Sequence, residues 1–248
     1  MRVAAVCFGM LVAAAAAAAQ SGAEWEYAGK RGPLVWGKLD PTYKACSQGH
    51  AQSPIDIRGA HLNKALAPIE FHYVSGAATL ENDGHTILVH ASPASYIVAG
   101  GARYQLDHLE FHHPSETAVK GRLTELEVDL VHKSADGKQA VVALRFKEDR
   151  GAPNAVFAAL FPHLPATAGA TAKVPESVNP AGLLPADRAY WTYTGSLTTP
   201  PCTEGVAWFV LEEEQTVSRE QLRAYMSLFR VTSRPLQEMH GRRIEATQ

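Results

Sequence analysis

The sequence predicts a mainly β protein of the α+β class, a single domain around one large, roughly ten-stranded, mostly antiparallel twisted sheet with a few short helices. Short runs with strand character recur at close spacing and are divided by Gly or Pro turns, whereas only two segments have helical character. The 248 residues include 46% apolar and 19% charged ones, which excludes collagen-like, coiled-coil and disordered chains. Neither an internal repeat nor a Gly/Ser-rich linker divides the sequence, so we expect one domain.

The first segment has the pattern of an export signal. A basic start, Met1-Arg2, is followed by an apolar, Ala-dominated run from Val3 to Ala19. This order predicts a secretory signal peptide over residues 1–19 and a folded domain over residues 20–248. A retained membrane anchor is the alternative, although the run falls just short of the ~20 residues that a spanning helix needs. We therefore expect a periplasmic or secreted protein.

Cysteine content and charge limit the possible partners. Removal of the leader takes away Cys7 and leaves Cys46 and Cys202. Two cysteines in an exported chain predict one disulfide, and two free buried thiols are the alternative. The 23 Lys and Arg nearly balance the 25 Asp and Glu, and they form no basic patch. We therefore expect neither a nucleic-acid partner nor, after leader cleavage, a membrane partner.

The elements follow in order from the hydrophobic pattern. Residues 24–55 are rich in Gly, Pro, Trp and Tyr and have neither helical nor strand period, which predicts irregular structure over a core. The predicted strands are Ile69–Val74, Ala78–Glu81, Thr86–His90, Gln105–His112, Thr124–His132, Ala140–Phe146, Tyr190–Tyr193 and Val206–Leu211. The predicted helices are Ala155–Leu160 and Ser218–Leu228, the second with Ser218 as its capping residue.

Two of these strands place metal-binding residue types on one face. In Gln105–His112 that face includes Glu110 and His112, and in Thr124–His132 it includes Asp129. Side chains at i and i+2 on a strand are about 6.7 Å apart, so Glu110 and His112 can share one ion that Asp129 completes. An ordinary exposed sheet face remains the alternative for either strand.

His108 lies on the same predicted face as these residues. By the same arithmetic it is about 13 Å from His112, too far for both to bind one ion. We expect it instead to hydrogen-bond Glu110 without binding the ion itself.

Three segments of the chain form distinctive motifs: Gln52-Ser53-Pro54-Ile55-Asp56-Ile57, Phe111-His112-His113-Pro114-Ser115-Glu116 and Gly195-Ser196-Leu197-Thr198-Thr199-Pro200-Pro201-Cys202. Together these segments resemble the α-class carbonic anhydrases. Tyr27, Asn82-Asp83-Gly84-His85, Glu127 and Trp208 follow in the expected order. The resemblance covers essentially the whole chain after the leader. It implies the family fold, the family reaction of reversible CO2 hydration to bicarbonate, and the disulfide common in secreted members at Cys46 and Cys202.

The resemblance also implies a zinc site of three histidines, from which this chain departs. The matching positions are Glu110, His112 and Asp129, so only one is His. Two carboxylates offset the charge of a divalent ion, so the water it activates should have a higher pKa. Oxygen ligands also shift preference toward Mn(II) or Fe(II), although zinc keeps the higher raw affinity. We therefore expect weak or absent CO2 hydration at neutral pH.

Other family positions are matched. Thr198 corresponds to the residue that orients the attacking hydroxide, Glu116 to the carboxylate that accepts the Thr hydroxyl proton, and His85 to the proton shuttle. His108 replaces the Gln beside the first ligand, and Glu127 matches the acceptor for the third. The implied substrate pocket is formed by Val131, Val141, Leu197, Thr199, Val206 and Trp208. Scaffold roles for Thr198 and Trp208, and an exposed His85 without a role, are the alternatives.

The cofactor prediction is one divalent metal ion, Zn or Mn/Fe, or none. Without a cation, the buried acidic groups would have to take up protons, or a ring of hydrogen bonds would have to join His108 to Glu110 and a protonated Asp129 to Glu127.

Three functions remain open at this stage. The first is a metal-dependent lyase of carbonic anhydrase type with impaired or altered activity, acting on CO2 and bicarbonate or on another small electrophile. The second is a metal-free, non-catalytic carbonic-anhydrase-related protein that binds a ligand or a protein partner through the same pocket or surface. The third is a structural or storage role.

Overall fold

The computed structural model describes residues 23–151 and 153–248. The predicted signal peptide lies outside the described residues. The strands are β1 (Asp56–Ile57), β2 (His61–Leu62), β3 (Glu70–His72), β4 (Gly76–Asn82), β5 (Ile87–His90), β6 (Tyr96–Ala99), β7 (Ala102–His112), β8 (Ala118–Val119), β9 (Leu126–Lys133), β10 (Gln139–Asp149), β11 (Thr171–Val178), β12 (Tyr190–Ser196), β13 (Glu204–Leu211), β14 (Gln215–Ser218) and β15 (Glu245–Ala246). The α-helices are α1 (Trp36–Leu39), α2 (Ala45–Gln48), α3 (Ala155–Leu160) and α4 (Arg219–Met226).

One large mixed sheet dominates the described structure. Ten strands follow one another in the order β11-β4-β5-β7-β9-β10-β13-β12-β15-β2, and β14, β6 and β3 bring the sheet to 13 strands. Neighbours are antiparallel except at β10–β13, β10–β14 and β15–β2. The predicted mainly β class and the roughly ten-stranded, mostly antiparallel sheet are confirmed.

The centre of this sheet is covered on both faces. Leu126, Val128 and Leu130 of β9 pack in the larger apolar cluster, which also includes side chains of α3 and α4. The next side chain, Val131, belongs to a second cluster on the opposite face. Strand β9 is therefore a fully buried central strand, and the alternative of an exposed sheet face is wrong for its acidic residues.

A β-bulge interrupts β7 before the acidic stretch. Leu106 pairs with His132 of β9, but His108 pairs with Val131, so Asp107 is an extra residue on β7. The side chains from Gln105 to His112 therefore do not alternate strictly between the two faces of the sheet. The bulge explains how Leu106 and Leu109, three residues apart, are both buried in the same apolar cluster.

The sequence correctly predicts where helices α3 and α4 begin. Helix α3 spans the predicted residues, and the side chain of Asn154 caps it by accepting hydrogen bonds from Val156 N and Phe157 N. Helix α4 begins after Ser218, whose hydroxyl and Gln221 form a reciprocal capping box. The helix ends at Met226, two residues before the predicted end.

Residues 24–55 form short helical turns rather than long regular elements, as the composition indicates. They enclose a small apolar cluster that includes Trp36, Tyr43, Cys46 and Cys202. Cys46 and Cys202 form the predicted disulfide, which joins residues 156 positions apart. Among the described residues, no helix is both long enough and apolar enough to cross a membrane.

Candidate metal centre

Adjacent central strands bring three possible ligands together. Glu110 on β7 stands directly opposite Asp129 on β9 in the antiparallel register, and His112 follows Glu110 on the same strand face. One ligand atom from each of the three residues lies within 4.8 Å of the others. The cluster is deeply placed, since His112 and Asp129 are fully buried.

The donor atoms at this point fit a cation. His112 Nε2 is 3.7 Å from Glu110 Oε1 and 3.7 Å from Asp129 Oδ2. His112 Nε2 and both Asp129 oxygens are buried without a hydrogen-bond partner. Nitrogen and oxygen ligands about 2.0–2.1 Å from one tetrahedral ion are about 3.3 Å apart. The three side chains therefore need only a small inward movement to share an ion.

The ring orientation of His112 is fixed by a hydrogen bond at Nδ1, the ring nitrogen that does not face Glu110 and Asp129. Its Nδ1 lies 2.7 Å from the carbonyl oxygen of Thr232, which can only accept, so Nδ1 donates the proton. In the neutral ring, Nε2 is then left with a lone pair facing the two carboxylates. Burial by itself would lower the pKa of His112, but the Glu116, Glu110 and Asp129 carboxylates outweigh burial and raise it.

The two candidate carboxylate ligands have opposite pKa shifts. Burial would raise the pKa of Glu110, but the neighbouring His108 and His112 outweigh burial and lower it. Burial and the Glu127 carboxylate together raise the pKa of Asp129. Asp129 thus needs either a proton or a cation to be accommodated in this position.

Glu127 supports the cluster through the turn before β8. It accepts hydrogen bonds from the Thr117 backbone N–H at 2.8 Å and from the Thr117 hydroxyl at 2.8 Å. Both of its oxygens are thereby occupied. The Glu127–Asp129 hydrogen bond of the metal-free alternative does not form, because neither oxygen of Asp129 has a hydrogen-bond partner.

His108 lies beside Glu110 but does not bond to it. His108 Nδ1 forms a 2.8 Å hydrogen bond with Asp107 Oδ2, and His108 Nε2 remains 3.9 Å from Glu110 Oε2. The expected His108–Glu110 hydrogen bond is therefore wrong. The extra residue in the bulge, Asp107, takes the imidazole instead, and Glu110 is left facing His112.

Glu116 and Thr198 are both buried, and Glu116 lies close to His112. Glu116 Oε1 lies 3.6 Å from His112 Nδ1 and accepts a 2.6 Å hydrogen bond from the backbone N–H of Arg234. Burial raises the pKa of Glu116 to about 7, against the opposing effects of His112 and the Thr198 hydroxyl. Glu116 Oε2 has no hydrogen-bond partner, so it remains free to accept one.

His85 lines a cavity of about 460 Å³ with Trp25 and Tyr27. Its ring stacks on Trp25 with the ring centres 3.6 Å apart. Burial lowers the pKa of His85, although Asp83 and Glu26 act in the opposite direction. The buried Tyr27 hydroxyl has no hydrogen-bond partner, and burial together with Glu116 and Glu110 raises its pKa.

The predicted pocket residues form part of one apolar cluster. Val131, Val141, Val206 and Trp208 are members of the second cluster, and Leu197 packs against it. Trp208 Nε1 donates a 2.9 Å hydrogen bond to the carbonyl of Ser196, which fixes its ring beside the Thr198 segment. Thr199 is half-buried, and its carbonyl accepts the Cys202 N–H.

Several supporting residues were missed in the sequence. Thr232 orients His112, Arg234 anchors Glu116, Thr117 holds Glu127, and Trp25 stacks on His85. The first two act through backbone groups about 120 residues away in sequence, which no local pattern encodes. The short Trp25–Tyr27 motif was the one signal that could have indicated a lining role.

Fold and cluster together define a class: a single-domain protein with a large mixed β-sheet and a candidate metal centre on its central strands. A family model described as eukaryotic-type carbonic anhydrase matches residues 31–248. The chain belongs to that carbonic anhydrase family.

Relatives agree over nearly the full chain. A carbonic anhydrase of Pectobacterium carotovorum is 38% identical over 234 residues, covering 94% of this chain and 95% of its own. The α-carbonic anhydrase from Thermovibrio ammonificans, solved with the inhibitor sulfanilamide, is 38% identical, covers 91% of this chain and 100% of its own, and has a TM-score of 0.87. Dioscorin complexed with ascorbate is 32% identical and has a TM-score of 0.83; its match covers 90% of this chain and 97% of the dioscorin chain.

Proposed function

We propose that this chain is an exported carbonic anhydrase-family protein that binds one divalent metal ion through Glu110, His112 and Asp129 and hydrates CO2 weakly at neutral pH. The observation that carries the proposal is the convergence of three possible ligands, two of which, His112 and Asp129, present buried atoms without hydrogen-bond partners. Buried polar atoms are nearly always satisfied, so a group of them facing one point calls for an occupant.

A hydrogen-bonded, metal-free cluster accounts less well for this geometry. An imidazolium that shared a proton with either carboxylate would stand about 2.7–2.9 Å from it. The separations from His112 Nε2 are instead 3.7 Å to each carboxylate. The two hydrogen bonds that would relieve the acidic cluster without a metal are both missing, which favours a cation.

The ligand set supports low activity. A divalent ion there supplies a Lewis acid that makes a water molecule more acidic. Glu110 and Asp129 bring two negative charges, whereas imidazoles bring none, so less hydroxide would be available at pH 7. The oxygen donors also support Mn(II) or Fe(II) as alternatives to Zn(II).

The remaining site residues support a role in handling a small electrophile. Glu116 would accept a hydrogen bond from the Thr198 hydroxyl, and the oxygen of Thr198 would then accept one from an attacking water and orient it. The apolar cluster around Val141 and Trp208 excludes water beside it. His85, half-buried at the cavity, would exchange protons with solvent.

Export is part of the same proposal. The Ala-rich leader and the Cys46–Cys202 pairing support a periplasmic or secreted location.

A second candidate function is non-catalytic binding of a small molecule. Two observations favour it: the similarity to a dioscorin solved with ascorbate, and the 460 Å³ cavity beside His85. In that case the protein would hold a ligand without turning it over.

Measurements of metal content and CO2 turnover distinguish the metal-dependent enzyme from the non-catalytic binder. The protein is purified without chelator, its metal is measured, and CO2 hydration is followed by stopped flow before and after adding Zn(II). About one metal ion per chain with slow turnover supports the enzyme. A metal-free protein that takes up no Zn(II) and stays inert rejects it in favour of the binder.

A further inference from the structure

Two histidines from distant parts of the chain lie side by side at the surface. His50 follows α2, and His240 precedes β15. Their ring centres are 4.9 Å apart and their planes meet at 72°. Both side chains are exposed, and within the described part of the chain neither imidazole makes a hydrogen bond. The pair therefore has free nitrogen atoms and open access from solvent.

The ring separation matches that of two imidazoles on one metal ion. An ion about 2.0–2.1 Å from a ligating nitrogen is about 3.2 Å from the ring centre, so bond angles of about 90–110° place two ring centres about 4.5–5.2 Å apart. The His50–His240 distance lies inside this range. A second pair, His90 and His108, lies outside it at 6.2 Å. Those two rings are also already engaged by Glu81 and Asp107.

The backbone on both sides of the pair is held in place. Glu204 Oε1 accepts hydrogen bonds from Ala51 N at 2.7 Å and Gln52 Nε2 at 2.9 Å. Arg242 Nη2 donates to the carbonyl of Gln52 at 2.7 Å and to that of Glu238 at 2.9 Å. Arg242 thus ties the turn that contains His240 to the segment that follows His50, so the two rings are brought together before any ion arrives.

Backbone conformation and charge add to this arrangement. His240 has a φ of 45°, in the left-handed region that non-glycine residues rarely occupy, and Gly241 follows with a φ of 75°. This turn directs the side chain of His240 toward His50. Burial would raise the pKa of Glu204, but its hydrogen bonds with Gln52 and Ala51 and the nearby His50 lower it, so a negative charge lies next to the pair.

We propose that His50 and His240 form a second metal site, separate from the Glu110 cluster, that binds one late first-row divalent ion through both imidazoles with water in the remaining positions. Imidazole suits copper, nickel and zinc, and affinity among them is highest for Cu(II). An ion bound here would link the segment after α2 to the carboxyl-terminal segment.

Pulsed EPR of bound Cu(II) counts the imidazoles directly. The experiment uses a His112→Gln background, so that the first site can supply no imidazole, and adds Cu(II) to one equivalent. His50→Gln and His240→Gln are made in this background, and His90→Gln serves as the matched control at another histidine pair. Cu(II) affinity is measured in parallel by calorimetry.

We expect Cu(II) with two imidazoles in the background protein and in the His90→Gln control. Each of the His50→Gln and His240→Gln variants should keep at most one imidazole and lose at least tenfold in affinity. An unchanged imidazole count and affinity in both variants would overturn the second site, as would fewer than two imidazoles in the background protein. Because His112 is absent throughout, either result leaves the proposed function untouched.

Discussion

His112 Nε2 lies 3.7 Å from Asp129 Oδ2, and neither atom has a hydrogen-bond partner although both side chains are fully buried. The imidazole is fixed by the Thr232 carbonyl, and the carboxylate stands opposite Glu110 across two paired strands. Both groups are therefore held close together by neighbouring strands of the central sheet. This relationship is the basis of the metal proposal.

Removing the charge of Asp129 should have opposite effects on metal binding and on the stability of the metal-free protein. Asp129→Asn preserves the shape of the side chain but removes its charge. We expect metal affinity to fall by more than about 100-fold, because mutating even a residue that only hydrogen-bonds a metal ligand lowers affinity by about 10–100-fold. Burial and Glu127 disfavour the charged form of Asp129. After a chelator has removed the metal, the variant should therefore unfold at a higher temperature than the wild type.

Metal titration and thermal unfolding measure the two effects. Glu70→Gln, at an exposed residue, is the matched control and should change neither. Equal metal affinity in Asp129→Asn and the wild type would remove Asp129 from the ligand set.

The Thr117 hydroxyl should contribute measurably to folding through Glu127. Thr117→Val keeps the backbone hydrogen bond but leaves Glu127 Oε1 without its donor in a fully buried position. We expect a loss of about 1–3 kcal/mol in the free energy of unfolding. Denaturant unfolding tests this, with Thr171→Val at an exposed strand position as control. If both variants lose the same small amount, Glu127 does not depend on this hydroxyl.

His132 should make the protein less stable in mild acid. The ring is fully buried against Tyr73, whose hydroxyl lies 3.0 Å from His132 Nε2, and burial lowers the pKa of His132 to about 4. The unfolded chain then binds more protons than the folded chain between about pH 6.5 and pH 4. The free energy of unfolding should therefore fall by about 3 kcal/mol across this window as the pH drops.

His132→Gln isolates this contribution. The difference in unfolding free energy between wild type and variant should shrink as the pH falls from 6.5 to 4, whereas Thr171→Val, which replaces an exposed side chain that does not titrate, should give a constant difference. A constant difference for His132→Gln as well would show that the ring is not held neutral.

The local patterns predicted the sheet better than they predicted its edges and turns. Helix α3 was predicted residue for residue because its segment is continuously apolar, and in the structure Asn154 caps it. Strand β11 was missed because Pro175 breaks its pattern, which is tolerated only because the strand lies at the edge of the sheet. Strands β6 and β14 are only four residues each and gave too little periodicity.

For the site, strand spacing was enough to place Glu110, His112 and Asp129 near one point. Spacing could not reveal the bulge at Asp107, because a one-residue insertion depends on pairing with β9 rather than on local sequence. The bulge is what directs His108 to Asp107 and leaves Glu110 free. Contacts from Thr232 and Arg234 depend on the tertiary fold and have no local signal.

The Cys46–Cys202 disulfide should provide a large share of the stability. It closes a loop of 156 positions, so its loss should lower the free energy of unfolding by about 3–5 kcal/mol. The double variant Cys46→Ser/Cys202→Ser, unfolded in denaturant beside the oxidised wild type, measures this. An unchanged midpoint would mean that the bond adds nothing to a fold already fixed by its sheet.

The most direct test of the central claim is the rate of CO2 hydration at pH 7 by the zinc-loaded protein, measured by stopped flow beside zinc-loaded Glu110→His/Asp129→His. Carboxylates at these positions offset the charge of the ion, so the wild type should be slow and the double variant at least about 100-fold faster. A wild type that hydrates CO2 as fast as the double variant at pH 7 would contradict the account.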